Sequence, residues 1–291
     1  MARNSLQDLK SVKFYQALAC EFIGTFLLVL VACGSCGRFV VTETEVRTNS
    51  TNIVTSKLIP NDLVQISLCF GLSVATIVWS IAHVSGGHIN PAVSIAFFVT
   101  RKISFIRFIL YAAVQTAGAI VGAYILKALT PTGVNDSLGS TLLGSGVSKA
   151  GGLFVELFIT FVLVFTVFAT CDSNRQGFAG SGPLAIGLSI AMCHLWAIPY
   201  TGSGMNPARA LGSHVASETI KDHPYVWIYW IGPLIGGMIA GLLYDLAFAA
   251  NAGSSKFAGF FTADYEDENY DSTGQKSLEA NLTGIRLKDS V

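Results

Sequence analysis

Two short boxes hold the residues of this chain best suited to chemistry: Gly-Gly-His-Ile-Asn-Pro-Ala-Val at 86–93 and Gly-Ser-Gly-Met-Asn-Pro-Ala-Arg at 202–209. Asparagine is among the best helix N-caps, and proline suits the first helical position, where its missing N–H would have no partner anyway. Asn90-Pro91-Ala92 and Asn206-Pro207-Ala208 therefore read as two helix starts. Each such terminus carries roughly half a positive charge, and Arg209 adds a full one beside the second. Asparagine amides donate hydrogen bonds without titrating, so this chemistry suits the handling of a neutral polar molecule and the repulsion of cations. Surface turns, a common use of Asn-Pro, would explain neither the repetition nor the apolar runs that follow each box.

The elements that position these boxes are themselves duplicated. FGLSVA at 70–75 and IGLSIA at 186–191 precede Asn90 and Asn206 at the same offset, in a register that holds without a gap. The chain is 52% hydrophobic and only 12% charged, against about 25% charged in soluble domains. Apolar windows at about 14–40, 63–82, 107–128, 152–170, 183–199 and 225–249 match the ~20 residues that a membrane-crossing helix needs. The first is too long for a signal-peptide core and reads as a retained helix.

Three spans separate the start of one repeat from the start of the next, and an odd number inverts the second copy. The runs Ala92 to Phe98 and Ala208 to Ala216 make about 15 Å of helix each, half a bilayer. The expected fold is an all-α membrane protein: six transmembrane helices plus two re-entrant half-helices in an inverted repeat, meeting head to head. Its parts are a terminal segment 1–13, a channel domain 14–249 (repeat one about 14–128, repeat two about 152–249) and an acidic tail 250–291. Irregular backbone at membrane depth is tolerated where it lines a watery cavity. The carbonyls of Gly87, His88 and Ile89, and of Gly202, Ser203 and Gly204, are thus expected acceptors along a wet path.

Arg3, Lys10, Lys13, Arg101, Lys102, Arg107 and Arg175 fall on one side, which the positive-inside rule makes cytoplasmic, with both termini. Arg47, Lys57, Lys127, Lys149 and Lys221 fall opposite, so the bias is modest. Sequons at Asn49 and Asn135 lie in loops this assigns outside and are possible glycosylation sites; a third at Asn281 lies inside and should be silent. The polar loop Thr42 to Lys57 reads as a mobile extracellular connection, and the segment after Ala250 as a disordered tail. Ser272, Ser277 and Ser290 are candidate phosphorylation sites there, and Leu278, Leu282 and Ile285 a candidate contact for a cytoplasmic tail-binding protein.

Zero net charge without a basic patch gives no sign of nucleic-acid binding. The six cysteines fall in or at the ends of apolar segments and read as small buried residues; Cys33 and Cys36 lack the further ligands of a zinc site. No metal or cofactor is expected, and no nucleophile paired with a base supports an enzyme.

The paired boxes, Arg209 directly after the second, Glu21 in CEFIGTF and Glu156 in VELFITF resemble the aquaporin, or major intrinsic protein, family from Phe14 to Ala249, and its water-selective branch in particular. The resemblance implies that Glu21 and Glu156 hold the loops before the half-helices, and that Phe70, His194, Ser203 and Arg209 form an outer selectivity filter. It also implies a plasma-membrane homotetramer with one water pore per subunit. A proton relay through the two acids is the rival, but one acid per half with no chain of partners makes a poor relay. Selectivity in such pores comes from diameter, lining groups and half-helix dipoles. Asn90 and Asn206 are expected to occupy both acceptor sites of one water oxygen and so break a proton wire.

Ser203 departs from the Cys or Ala common in relatives, leaving Cys193 as a secondary thiol target; Ala210 and His214 also depart, while Tyr229-Trp230 fits the water branch. Gly118 with Gly122, and Gly232 with Gly236, are expected to pack the two halves together. A small-solute facilitator for glycerol, urea or peroxide, a junction or adhesion protein with a weak pore, and an alternating-access carrier are the alternatives.

Overall fold

The computed structural model describes residues 8–37, 40–45, 53–58, 62–131, 137–173, 175, 180–217 and 224–262. Helix α1 (Val12–Leu28) runs on through a π turn (Val29–Cys33) and a 3-10 turn (Gly34–Cys36) to complete the first span. Then come strands β1 (Val40–Glu45) and β2 (Ile53–Leu58), and helices α2 (Leu63–Ser85), α3 (Pro91–Val99), α4 (Phe105–Leu129), α5 (Lys149–Cys171), α6 (Gly182–Thr201), α7 (Pro207–Ala216), α8 (Ile228–Leu243) and α9 (Ser254–Phe260). A π turn at Tyr244–Phe248 extends α8 to the end of the sixth span. Six helices are long and apolar enough to cross a membrane, and α3 and α7 are the two short ones between spans two and three and between five and six.

Polar side chains mark the starts. Asp62 Oδ1 accepts from Val64 N at 2.8 Å, Ser104 Oγ from Arg107 N and Ser148 Oγ from Gly151 N at 3.0 Å, each satisfying an N–H that a helix start leaves open. The outside of the bundle is apolar: Leu72, Trp79, Phe154 and Met192 are all more than half exposed. Inside, Glu21, Thr25, Gln115, Glu156 and Thr160 are fully buried.

Two sequence expectations change here. The polar loop carries a hairpin, with Val40 opposite Leu58 and Glu45 opposite Ile53; its β-branched runs Val40-Val41-Thr42 and Ile53-Val54-Thr55 favour a pleated pair over irregular chain. The tail begins with α9 rather than with irregular chain. The acidic stretch, the three tail serines, the apolar residues 278–285 and the sequons at Asn49, Asn135 and Asn281 lie outside the described residues.

The glycine pairs do a different job from the one expected. A Cβ at Gly118 would sit 2.3 Å from the Phe22 carbonyl oxygen, and one at Gly236 would sit 2.1 Å from that of Leu157. These pairs press α4 onto α1 and α8 onto α5, within each half. Between the halves the close approaches are Gly71 with Gly187 (α2 on α6), Gly212 with Ala119 (α7 on α4) and Gly237 with Ala92 (α8 on α3). The i, i+4 pattern identifies a helix face for close crossing without naming the helix across from it.

Candidate functional site

Each asparagine caps its own half-helix with its side-chain oxygen. Asn90 Oδ1 accepts from Ala92 N at 2.8 Å; Asn206 Oδ1 accepts from Ala208 N at 3.0 Å and Arg209 N at 3.2 Å. With the oxygen so committed, the amide nitrogen faces the other half. Asn90 Nδ2 donates to the Met205 carbonyl at 2.9 Å, and Asn206 Nδ2 to the Ile89 carbonyl at 2.8 Å. The two boxes are therefore stitched tip to tip by reciprocal bonds. An amide NH2 has two hydrogens, so each asparagine keeps one to offer elsewhere.

The loops before the caps share one backbone signature. Positive φ occurs at Gly86, Gly87 and Ile89 (89°, 64° and 44°) and at Gly202, Ser203 and Met205 (76°, 54° and 55°), matching positions in the two boxes. For a β-branched residue such as Ile89 this conformation is strained and persists only if its surroundings enforce it. Buried carboxylates supply that enforcement. Glu21 Oε1 accepts from Ser85 Oγ (2.7 Å) and His88 N (2.9 Å), and Oε2 from Ile89 N (2.6 Å) and Gln115 Nε2 (2.8 Å). Glu156 Oε1 accepts from Thr201 Oγ1 (2.6 Å) and Gly204 N (2.8 Å), and Oε2 from Met205 N (2.8 Å).

Two tyrosines complete the cradle: Tyr111 Oη donates to the Ser85 carbonyl and Tyr229 Oη to the Thr201 carbonyl, both at 2.8 Å. Pulling the N–H groups toward the carboxylates leaves the carbonyls to face away from them. Among the described residues no hydrogen bond ends on the carbonyls of Gly87, His88, Gly202, Ser203 or Gly204. The Ile89 carbonyl differs from that expectation, since Asn206 already uses one of its two acceptor positions.

Of the four residues expected at a filter, the structure brings Phe70, His194 and Arg209 together. The Phe70 and His194 rings stack with centroids 4.4 Å apart, and the Arg209 guanidinium carbon lies 5.0 Å from the Phe70 centroid. His194 Nδ1 contacts the Ile190 carbonyl at 3.0 Å, which leaves Nε2 without a protein partner; Arg209 Nε and Nη1 and Ser203 Oγ are likewise buried and unpartnered. An orphaned buried polar group costs about 1–3 kcal/mol, so those of His194 and Arg209, which line one cavity, signal a place for water.

One cavity takes in Phe70, His194 and Arg209, then Asn90 and Asn206, then Gly86 to Ile89, between apolar walls that include Val74, Val78, Leu163 and Val167. Gly204 also lines it, whereas Gly202 and Ser203 lie outside its lining, as do Pro91, Ala92, Pro207 and Ala208, which serve as helix-start geometry. Cys193 does not line it either: the thiol is buried and donates to the Ile159 carbonyl at 3.7 Å, so it offers no thiol target in the pore. Among the described residues no group of His, Cys, Asp or Glu could hold a metal ion.

Several functional neighbours escape sequence reading. His88 Nδ1 lies 3.1 Å from Ser94 Oγ, which also accepts from Gln115 Nε2 at 3.1 Å, while the His88 ring stacks on Phe97. His214 Nε2 lies 3.0 Å from the Thr141 carbonyl, tying α7 to the segment before α5. Ser85 and Thr201 do leave a trace, standing at equal distances before Asn90 and Asn206. Tyr111 and Gln115 give none, because polar residues in an apolar helix do not reveal which helix they face.

The family model for the major intrinsic protein matches residues 8–244. Aquaporin-4 of Homo sapiens is 47% identical over 235 residues, 81% of this chain and 68% of that one. Aquaporin-1 of Canis lupus familiaris is 43% identical over 242 residues, 83% and 85% of the two chains. The X-ray structure of the aquaglyceroporin from Plasmodium falciparum aligns with a TM-score of 0.66 at 25% identity, covering 80% of this chain and 96% of that one.

Proposed function

We propose how this chain conducts water on the premise that it belongs to the major intrinsic protein family and is a water channel of the aquaporin branch. It is a channel, not an enzyme. In the proposed pathway water enters past Phe70, His194 and Arg209, meets Asn90 and Asn206 at the centre, and leaves along the carbonyls of Gly87 and His88. The reciprocal asparagine bonds carry this reading. Each amide spends one hydrogen across the junction and keeps one, so the pair can fill both acceptor positions of a single water oxygen. That water's own hydrogens then point outward in opposite directions, and a proton arriving from either side finds no acceptor.

Ions are excluded because their dehydration in low dielectric costs tens of kcal/mol, whereas water loses a few bonds that carbonyls and the filter donors replace. The two half-helix termini and Arg209 raise the barrier to cations further. In favour of the small-solute alternative stands the similarity to the Plasmodium aquaglyceroporin. The stack of His194 on Phe70 argues against it, since the imidazole fills space that a polyol would need.

We further place repeat one at about 14–128, repeat two at about 152–249 and the tail at 250–291, with both termini cytoplasmic in a plasma-membrane homotetramer, glycosylated at Asn49 and Asn135. Stopped-flow light scattering of proteoliposomes tests the pore. The chain should pass water and exclude glycerol and urea, and Arg209→Ala should raise solute entry about tenfold, ~1.4 kcal/mol of lost discrimination, with little change in water flux. Unchanged solute exclusion in that variant would remove Arg209 from the filter.

A further inference from the structure

The short helix α9 has no part in the pore, yet it is fastened firmly. Arg101 Nη1, from the turn between α3 and α4, donates to the Phe260 carbonyl at 2.9 Å and the Thr262 carbonyl at 2.6 Å. Lys256 Nζ lies 2.9 Å from Asp245 Oδ1, which also holds Lys102 Nζ at 3.0 Å. Asp245 is buried and belongs to the final π turn of the sixth span. The chain between is held as well, since Ala250 N donates to Asp172 Oδ2 at 2.8 Å, just past the end of α5. These contacts fix depth: α9 sits within a lysine side chain's length of the last turn of a membrane span, beside the ends of two others.

Two aromatic side chains of that fastened segment are exposed, while Phe260 between them is half-buried. Phe257 is 53% exposed and Phe261, four residues on and so on the same face, is 71% exposed, their ring centroids 5.3 Å apart. Phe248, the last residue of the span, is 60% exposed, and Phe105 at the start of α4 is 53% exposed. Both are exposed at the ends of membrane-spanning helices, and Phe257 and Phe261 are exposed on the helix that follows the sixth span. Aromatic side chains at this level belong to the boundary between headgroups and acyl chains.

We propose that α9 is an interfacial anchor: Arg101 and Asp245 hold it so that Phe257 and Phe261 enter the headgroup–acyl boundary of the leaflet at which the sixth span ends. The tail beyond residue 262 then leaves from the membrane surface at a fixed point and not from the mouth of the pore.

The test places trifluoromethyl-phenylalanine at 261, or at 248 as a lipid-facing reference, in the full chain reconstituted into phosphatidylcholine–phosphatidylserine vesicles. Relaxation of the fluorine signal is then measured with dissolved oxygen, which partitions into lipid, and with a nickel chelate, which stays in water. Position 261 should respond to oxygen as strongly as 248 and at least threefold less to the chelate than the free amino acid in buffer. A chelate response equal to that of the free amino acid places the ring in water and overturns the proposal. Protection from both probes also overturns it, by placing the ring against protein, either a neighbouring subunit or the distal tail. Arg101→Gln should bring the chelate response at 261 at least halfway to the free value with water permeability unchanged; an unchanged response in that variant overturns the clamp.

Discussion

The two halves of this channel build the same backbone with different side chains. Both raise φ at the same three loop positions, cap a half-helix with asparagine and gather loop N–H groups on a buried carboxylate. In the first half that frame is embedded in further polar bonds. Gln115 joins Glu21 to Ser94, Ser94 meets His88, and Tyr111 links the Ser85 carbonyl to Arg107, whose Nη2 reaches Asp8 at 2.5 Å. In the second half Gly204 stands where the first has His88, and Ala210 where it has Ser94. Its unpartnered polar atoms, an imidazole nitrogen of His194 and the guanidinium donors of Arg209, belong to residues that line the cavity instead. Duplication copied a scaffold; divergence embedded one half in further polar bonds and left unpartnered polar atoms on cavity-lining residues of the other.

If the carboxylates are equivalent keystones, Glu21→Ala and Glu156→Ala should have the largest effects. Each strands at least three buried donors at about 1–3 kcal/mol apiece, so neither variant should yield folded protein by size exclusion in detergent. A folded, conducting Glu156→Ala beside a misfolded Glu21→Ala would end the equivalence. Asp8→Ala sharpens the contrast, because it leaves the buried Arg107, which is bonded to the first half's frame through Tyr111, without its carboxylate. Loss of one partner in such a pair costs about 3–5 kcal/mol, and thermal unfolding should register it.

Gly204→Ala comes next. The new Cβ would lie 2.8 Å from Tyr229 Cδ1 and 3.0 Å from Glu156 Oε2, an overpacking cost of roughly 1–3 kcal/mol. Water permeability should fall with stability, since the same loop lines the cavity. Wild-type flux and melting in this variant would mean that the second loop can yield where the geometry leaves no room. Tyr229→Phe should be mildest, about 1 kcal/mol for one lost hydrogen bond. Tyr111→Phe should cost more by the same melting assay, because Arg107 Nη1 loses its acceptor as well; equal losses would deny the first half its extra coupling.

Much of this was legible from residue types. The boxes, their offset and the odd number of intervening spans place Asn90 and Asn206 at one junction from opposite faces, because hydrocarbon admits few ways to house capped half-helices. Glu21 and Glu156 were legible because an acid in an apolar span demands a partner. The spare capacity of each asparagine was not, since it depends on Met205 and Ile89 presenting carbonyls across the junction. Cys193 sits beside His194 in sequence, yet consecutive helical residues point about 100° apart, so one faces α5 and the other the lumen. The hairpin was hidden because its first strand continues an apolar run that reads as helix.

The amino-acid order alone determined that the chain crosses a membrane six times, that its halves are inverted copies, and that two capped half-helices with one arginine guard its middle. Those properties follow from hydropathy, spacing and capping, which are local. Only the tertiary structure decided which glycine faces which helix, which donors are spent on protein and which are left for water, and that α9 is tied to Arg101 and Asp245. Those depend on rotation about helix axes and on contacts between residues far apart in the chain, which no one-dimensional pattern encodes.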